Sequence, residues 1–188
     1  MTNLITSFTT FFERIEAMLS GWFLQLAARL VFAGVLFVYF WKSGLTKLGE
    51  GFVGIFRPSD GAYFQIFPKA IEAAGYDTSQ LGFIHWAIAL AGTWAELLLP
   101  ILIVLGLMTR LAALGMIGFI FVQSWVDVFG HLVGPEDIGT WFDNTPSALI
   151  VDQRAFWVLA LLILVVRGAG ALSLDRLIAP KGVQHGAE

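Results

Sequence analysis

The sequence predicts an all-α polytopic membrane protein, a four-transmembrane-helix bundle with an N-terminal amphipathic helix. Three observations carry that prediction. Of 188 residues, 57% are hydrophobic and only 13% are charged, against about 25% charged in a soluble domain. The mean hydropathy is +0.78. Four apolar runs each approach the ~20 residues that cross a bilayer. Two of them, in the stretch from Phe83 to Phe129, are separated only by Met108-Thr109-Arg110. So short a break leaves one arrangement, an antiparallel helical hairpin. Residues 1–188 read as a single membrane domain.

Taken in order, residues 4–21 repeat Leu4, Phe8, Phe11, Phe12, Ile15 and Met18 at helical spacing, with Glu13, Arg14 and Glu16 elsewhere on the wheel. That pattern predicts an amphipathic helix lying on the membrane surface. The segment lacks the basic start and small-residue cleavage site of a signal peptide, so it is expected to be retained. The first span covers about residues 22–41. Trp22 and Trp41 stand ~28 Å apart along a helix, which puts one ring at each interface. Gly49, Gly51 and Gly54 then end the helix.

Residues 49–80 form a long outer loop. Within it Pro68 to Ala74 reads as a short helix, with Pro at its first position and Gly75 after its end. Asp77, Thr78 and Ser79 offer N-caps for the second span, about 81–107. The third span covers about 111–129, and a second long loop covers 130–146. The fourth span, about 147–167, carries Asp152 and Arg154 at the interface. Ser173-Leu174-Asp175 opens a short terminal helix, and residues 180–188 read as a disordered tail.

Charges inside the spans are the candidate functional groups, because an ionisable side chain at that depth costs a few kcal/mol. Glu96 lies mid-span, four residues before Pro100, whose ring frees the Glu96 carbonyl. Arg29 interrupts the first span and is expected to pair with Glu96. On the third span Gln123, Asp127 and His131 recur every four residues and form a polar stripe near the loop end. Antiparallel pairing brings His85 to similar depth, and Lys47 ends the first span where it can pair with Asp127. Asp127→Asn and His131→Ala are expected to leave folding nearly intact. Trp86 and Trp125 can wall a ligand ring.

Composition also excludes. Cysteine is absent, so there is no disulfide and no Cys-ligated cluster. Three histidines leave no metal site in view. His85 and His131 at similar depth are compatible with haem b, but two such residues at an interface more often make plain hydrogen bonds, and haem is disfavoured. A net charge of −3 gives no nucleic-acid signature.

The run Tyr39-Phe40-Trp41-Lys42-Ser43-Gly44-Leu45-Thr46-Lys47-Leu48 resembles the first-helix signature of the DoxX family, and Arg29-Leu30 is similar to the arginine that opens that helix. Ala95-Glu96-Leu97 and Leu105-Gly106-Leu107-Met108-Thr109-Arg110 resemble the family's central hairpin. Arg167-Gly168-Ala169-Gly170-Ala171-Leu172-Ser173-Leu174-Asp175 resembles its closing segment. The resemblance implies a four-helix membrane fold. It also implies a link to quinone-side redox work, since the family takes its name from membrane subunits of a thiosulfate:quinone oxidoreductase and other members are tied to oxidative-stress complexes.

Two functional readings follow. One is an accessory or assembly subunit of a membrane redox complex, docking other membrane subunits or a second copy through the N-terminal helix and the long loops. The other is a quinone-linked oxidoreductase subunit with a quinone or proton site at the outer polar cluster. The expected location is the inner membrane of a bacterial cell, with both termini cytoplasmic. The short turn at Arg110 lies on the termini's side, where the positive-inside rule counts most.

Overall fold

The computed structural model describes residues 2–19 and 21–179. Four helices cross the membrane by length and composition: Phe23–Lys47, Phe83–Leu105, Thr109–Gly130 and Leu149–Arg167. Their outward faces are apolar and exposed, Val35, Leu98, Phe121 and Leu159 among them, as lipid contact requires. The protein is therefore a multi-pass membrane protein of all-α class.

The four spans form a ring in which each packs on the next, and the first closes it. The first span leans. Its Phe23–Phe32 part packs on the fourth span and its Val38–Lys47 part on the second. Phe32, Phe40, Met116, Leu161 and Leu164 fill the centre. The first span runs on to Lys47, beyond the expected end at Trp41, because Lys42 to Lys47 keep helical geometry and bury Gly44 and Lys47 against the second span. A Cβ on Gly44 would lie 2.8 Å from Leu97 and 3.3 Å from the Glu96 Cβ. This glycine sets the register between the first two spans.

Three π-helical turns interrupt the spans: Ala33–Phe37, Val126–Gly130 and Leu149–Gln153. Such turns concentrate at functional sites. The second span runs through Pro100 without a break. Its start is Phe83, with Gly82 at the cap, and Asp77 instead caps the short turn Thr78–Gln80.

The long loop is more ordered than its sequence suggests. Pro68–Ala73 is helical as read, and a second helix, Asp60–Ile66, precedes it. The indole N–H groups of Trp86 and Trp94 donate to the Phe56 and Ile55 carbonyls and tie the loop to the second span.

The N-terminal helix spans Thr2–Leu19. Leu4, Ile5, Phe8, Phe11, Phe12 and Met18 are all exposed. Leu174–Ile178 forms the terminal helix, capped by the Ser173 hydroxyl. The tail expected over 180–188 lies outside the described residues.

Candidate functional site

The two ends of the bundle handle their charges differently. At the hairpin end, Arg29 does not reach Glu96. Its Nε donates to the Ile103 carbonyl at 3.1 Å and Nη2 to Val104 at 2.6 Å. Nη1 donates to Ala169 at 3.1 Å and also to the Leu172 carbonyl. The Ile103 carbonyl also accepts the Gly106 N–H of the helix cap, and a guanidinium at that terminus adds donors for the last carbonyls and complements the dipole. The expected Arg29–Glu96 pair fails on register. Gly44 lies beside Glu96, and it is roughly four turns, ~22 Å, along the first span from Arg29.

Asp175 completes this end. Its carboxylate accepts the Met108 N–H at 2.6 Å and the Thr109 N–H at 2.9 Å, capping the third span from outside it. Gly106 has φ +68°, and a Cβ there would meet Ser173 at 2.6 Å and the Arg29 guanidinium at 2.9 Å. Only glycine serves both needs at this turn.

At the loop end the charges pair side chain to side chain. Lys47 Nζ donates to Glu96 Oε2 at 2.7 Å and to the Ser43 hydroxyl at 2.7 Å, and Ser43 donates to Glu96 Oε1 at 3.2 Å. Both ionic side chains are buried, at 6% and 4% exposure. Lys47 is thus committed to Glu96 and not to Asp127. Asp127 pairs instead with Arg154, at 2.6 Å. Arg154 follows the π turn of the fourth span and faces inward, 3% exposed, donating also to Ser124 and lying over the Trp157 ring. It is therefore buried against its neighbours.

Both ion pairs border one cavity of about 640 Å³. Gln123, Asp127 and His131 line it together with Glu96 and Lys47. Gln123 donates to the Tyr39 hydroxyl at 2.9 Å. His131 Nε2 lies 2.9 Å from the Gln65 carbonyl, which joins the two long loops above the cavity. Two buried polar atoms in the wall, Gln123 Oε1 and Arg154 Nε, have no hydrogen-bond partner among the described residues. Buried polar groups left open in this way are rare, and each asks for an explanation.

Other residues singled out from the sequence fall elsewhere. His85 is not in the wall; its ring packs edge-on against Phe67. His85 and His131 therefore frame no common haem site in this cavity. Trp86 is held by Phe56, and Trp125 is exposed with its ring tilted against Phe129, and neither walls the cavity. Among the described residues no group of three or more potential ligands is placed to hold a metal ion.

Tyr39, Ser43 and Arg154 are wall residues that sequence reasoning did not assign to the site. A signal existed for two of them. Tyr39, Ser43 and Lys47 recur every four residues, the same spacing that marked the stripe on the third span.

The DoxX family model matches residues 24–126, more than half of the chain and nearly all of the first three spans. No curated protein and no solved structure matches the chain significantly.

Proposed function

Because the chain belongs to the DoxX family, we propose that it serves as a ligand-binding subunit of a membrane redox complex, with the head group of a lipid-soluble quinone held in the loop-end cavity. The observation that carries this reading is a pair of buried, unpartnered polar atoms, Gln123 Oε1 and Arg154 Nε, on two residues that line a largely apolar membrane cavity.

The wall suits such a head group. Lys47 pairs with Glu96 and Arg154 with Asp127, and the remaining lining carboxylate, Asp137, has no ion pair among the described residues, which disfavours an anionic ligand and suits a neutral one. Arg154 Nε–H can donate to a ring carbonyl. The Tyr39 hydroxyl accepts from Gln123 and so keeps its own proton to donate. Gln123 Oε1 can accept from a ring hydroxyl. A quinone, when bound, would supply two-electron chemistry coupled to protons. His131, also in the lining, is exposed and contacts the Gln65 carbonyl through Nε2.

The accessory or assembly reading is favoured by one observation, the uncovered apolar face of Thr2–Leu19. That face suits the bilayer surface, another membrane subunit or a second copy. The proposal includes a bacterial inner-membrane location with both termini cytoplasmic. It is supported by Arg110 in the short turn and Arg176 near the C-terminus, on the termini's side.

The test is organic extraction and an absorption spectrum of gently purified protein. Near-stoichiometric quinone is the expected result. A co-purifying protein partner without quinone would leave the assembly reading and discard ligand binding.

A further inference from the structure

The cavity has a side as well as a mouth. The second and third spans touch at the hairpin half, where a Cβ on Gly115 would lie 3.3 Å from Leu99. Towards the loop end the facing residues become small. Ala91 and Ala95 of the second span and Gly118 of the third line the cavity, and a Cβ on Gly118 would meet nothing within 4 Å. Ile88 and Val122, which also line it, are 47% and 57% exposed within membrane-spanning helices. Exposure at that depth is exposure to lipid.

At the loop end, by contrast, the two long loops are tied to the bundle and to each other. Trp86 and Trp94 tie the first long loop to the second span, and the His131 contact to Gln65 joins that loop to the second one. The polar end of the cleft is built, since Arg154 is 3% exposed and its Nε is unpartnered.

We propose that the ligand enters sideways from the bilayer between the second and third spans, and that its apolar tail rests in the cleft beside Ala91, Ala95 and Gly118. This rests on the quinone head-group reading and adds to it the route and the tail. The ligand class is then a neutral polar ring with at least one flexible hydrocarbon chain. The ring lies towards Gln123 and Arg154, and the chain runs out to lipid.

The experiment compares a tail-less benzoquinone with the same ring carrying a decyl chain. Each is titrated into protein in nanodiscs and corrected for partition into protein-free nanodiscs. In the wild type the chain should tighten binding about 10-fold or more, as burial of several methylenes allows. Gly118→Leu should abolish that gain while changing tail-less binding less than about 3-fold, because the added side chain fills the cleft and leaves the polar end alone. Ala91→Leu, at another exposed wall position, repeats the measurement should Gly118→Leu fail to fold. A decyl gain that survives both substitutions overturns the lateral cleft and leaves the head-group reading standing. A wild type that binds neither probe overturns both.

Discussion

Arg29 at the hairpin end and Arg154 at the loop end are both buried guanidiniums in a membrane bundle, and their partners differ in kind. Arg29 bonds only backbone carbonyls, four of them, drawn from the end of the second span and from the 169–172 segment. Of these only the Ile103 carbonyl also accepts a backbone N–H of the turn among the described residues, that of Gly106. Arg154 bonds side chains, Asp127 and Ser124, and its buried Nε has no partner among the described residues. The first arrangement closes a helix terminus. The second leaves hydrogen-bonding capacity for something that is not part of the chain. A charge inside a membrane protein is therefore read by what it leaves unsatisfied, and its depth alone says little.

The largest effect should come from Arg29→Leu. Loss of the guanidinium strands several buried carbonyls and should cost on the order of 5 kcal/mol, seen as a collapse of Tm in detergent. Combining it with Glu96→Leu should make matters worse. Rescue in the double variant would restore the Arg29–Glu96 pair and show that Arg29 does not serve the carbonyls alone.

Next comes the buried pair at the loop end. Lys47→Met or Glu96→Leu alone leaves one unpaired charge and should cost ~3–5 kcal/mol, whereas the double variant should recover most of it. Additive losses in thermal denaturation would show that the two residues do not depend on each other.

Asp127→Asn should cost roughly 2–3 kcal/mol, because it leaves the Arg154 charge buried without its counter-ion. The carboxylate itself is partly open, at 24% exposure, which holds the figure at the low end. This replaces the expectation, drawn from sequence, that Asp127→Asn leaves folding nearly intact. A melting temperature equal to wild type would restore that expectation.

The smallest effect lies in the loop. Hydrogen bonds from the Ser79 hydroxyl, the Gln80 amide and the Ser79 N–H hold the Asp77 carboxyl below the usual carboxylate range. A depressed value means that its contribution is full above the unfolded pKa of about 3.9 and fades as pH falls below it. Amide exchange at Ser79 should therefore quicken, relative to its intrinsic rate, as pH falls below that value. An unchanged relative rate would show that the turn stands without the charge.

The fold was legible because lipid imposes a simple rule. The apolar runs, the three-residue break at Arg110 and the helical period of Leu4 to Met18 each map directly onto an element. The stripe of Gln123, Asp127 and His131 was legible for the same reason and does line one cavity. Charge pairing was not, because it depends on register between helices. Register is set by one close approach at Gly44. The facing of Arg154 follows a π turn at Leu149–Gln153, which no helical wheel anticipates. The Asp60–Ile66 helix was missed because its seven residues show too little periodicity to read.

Among the described residues, buried unpartnered polar atoms occur at both ends, Gln25 Oε1 and Thr109 Oγ1 at the hairpin end and Gln123 Oε1 and Arg154 Nε at the loop end. Only the latter two residues line the cavity where a quinone-like head group is proposed to bind. The most direct test is equilibrium binding of a tail-less benzoquinone to the wild type, Gln123→Leu and Asp175→Ala, each checked for folding. Gln123→Leu removes one exposed hydrogen bond and should cost no more than ~1 kcal/mol of stability. Asp175→Ala removes a helix cap and should cost ~1–2 kcal/mol. Binding should fall about 10-fold or more in Gln123→Leu, by the loss of a buried polar contact, and stay at wild-type strength in Asp175→Ala. Equal binding by all three proteins, or weaker binding in Asp175→Ala than in Gln123→Leu, would contradict the assignment of the site.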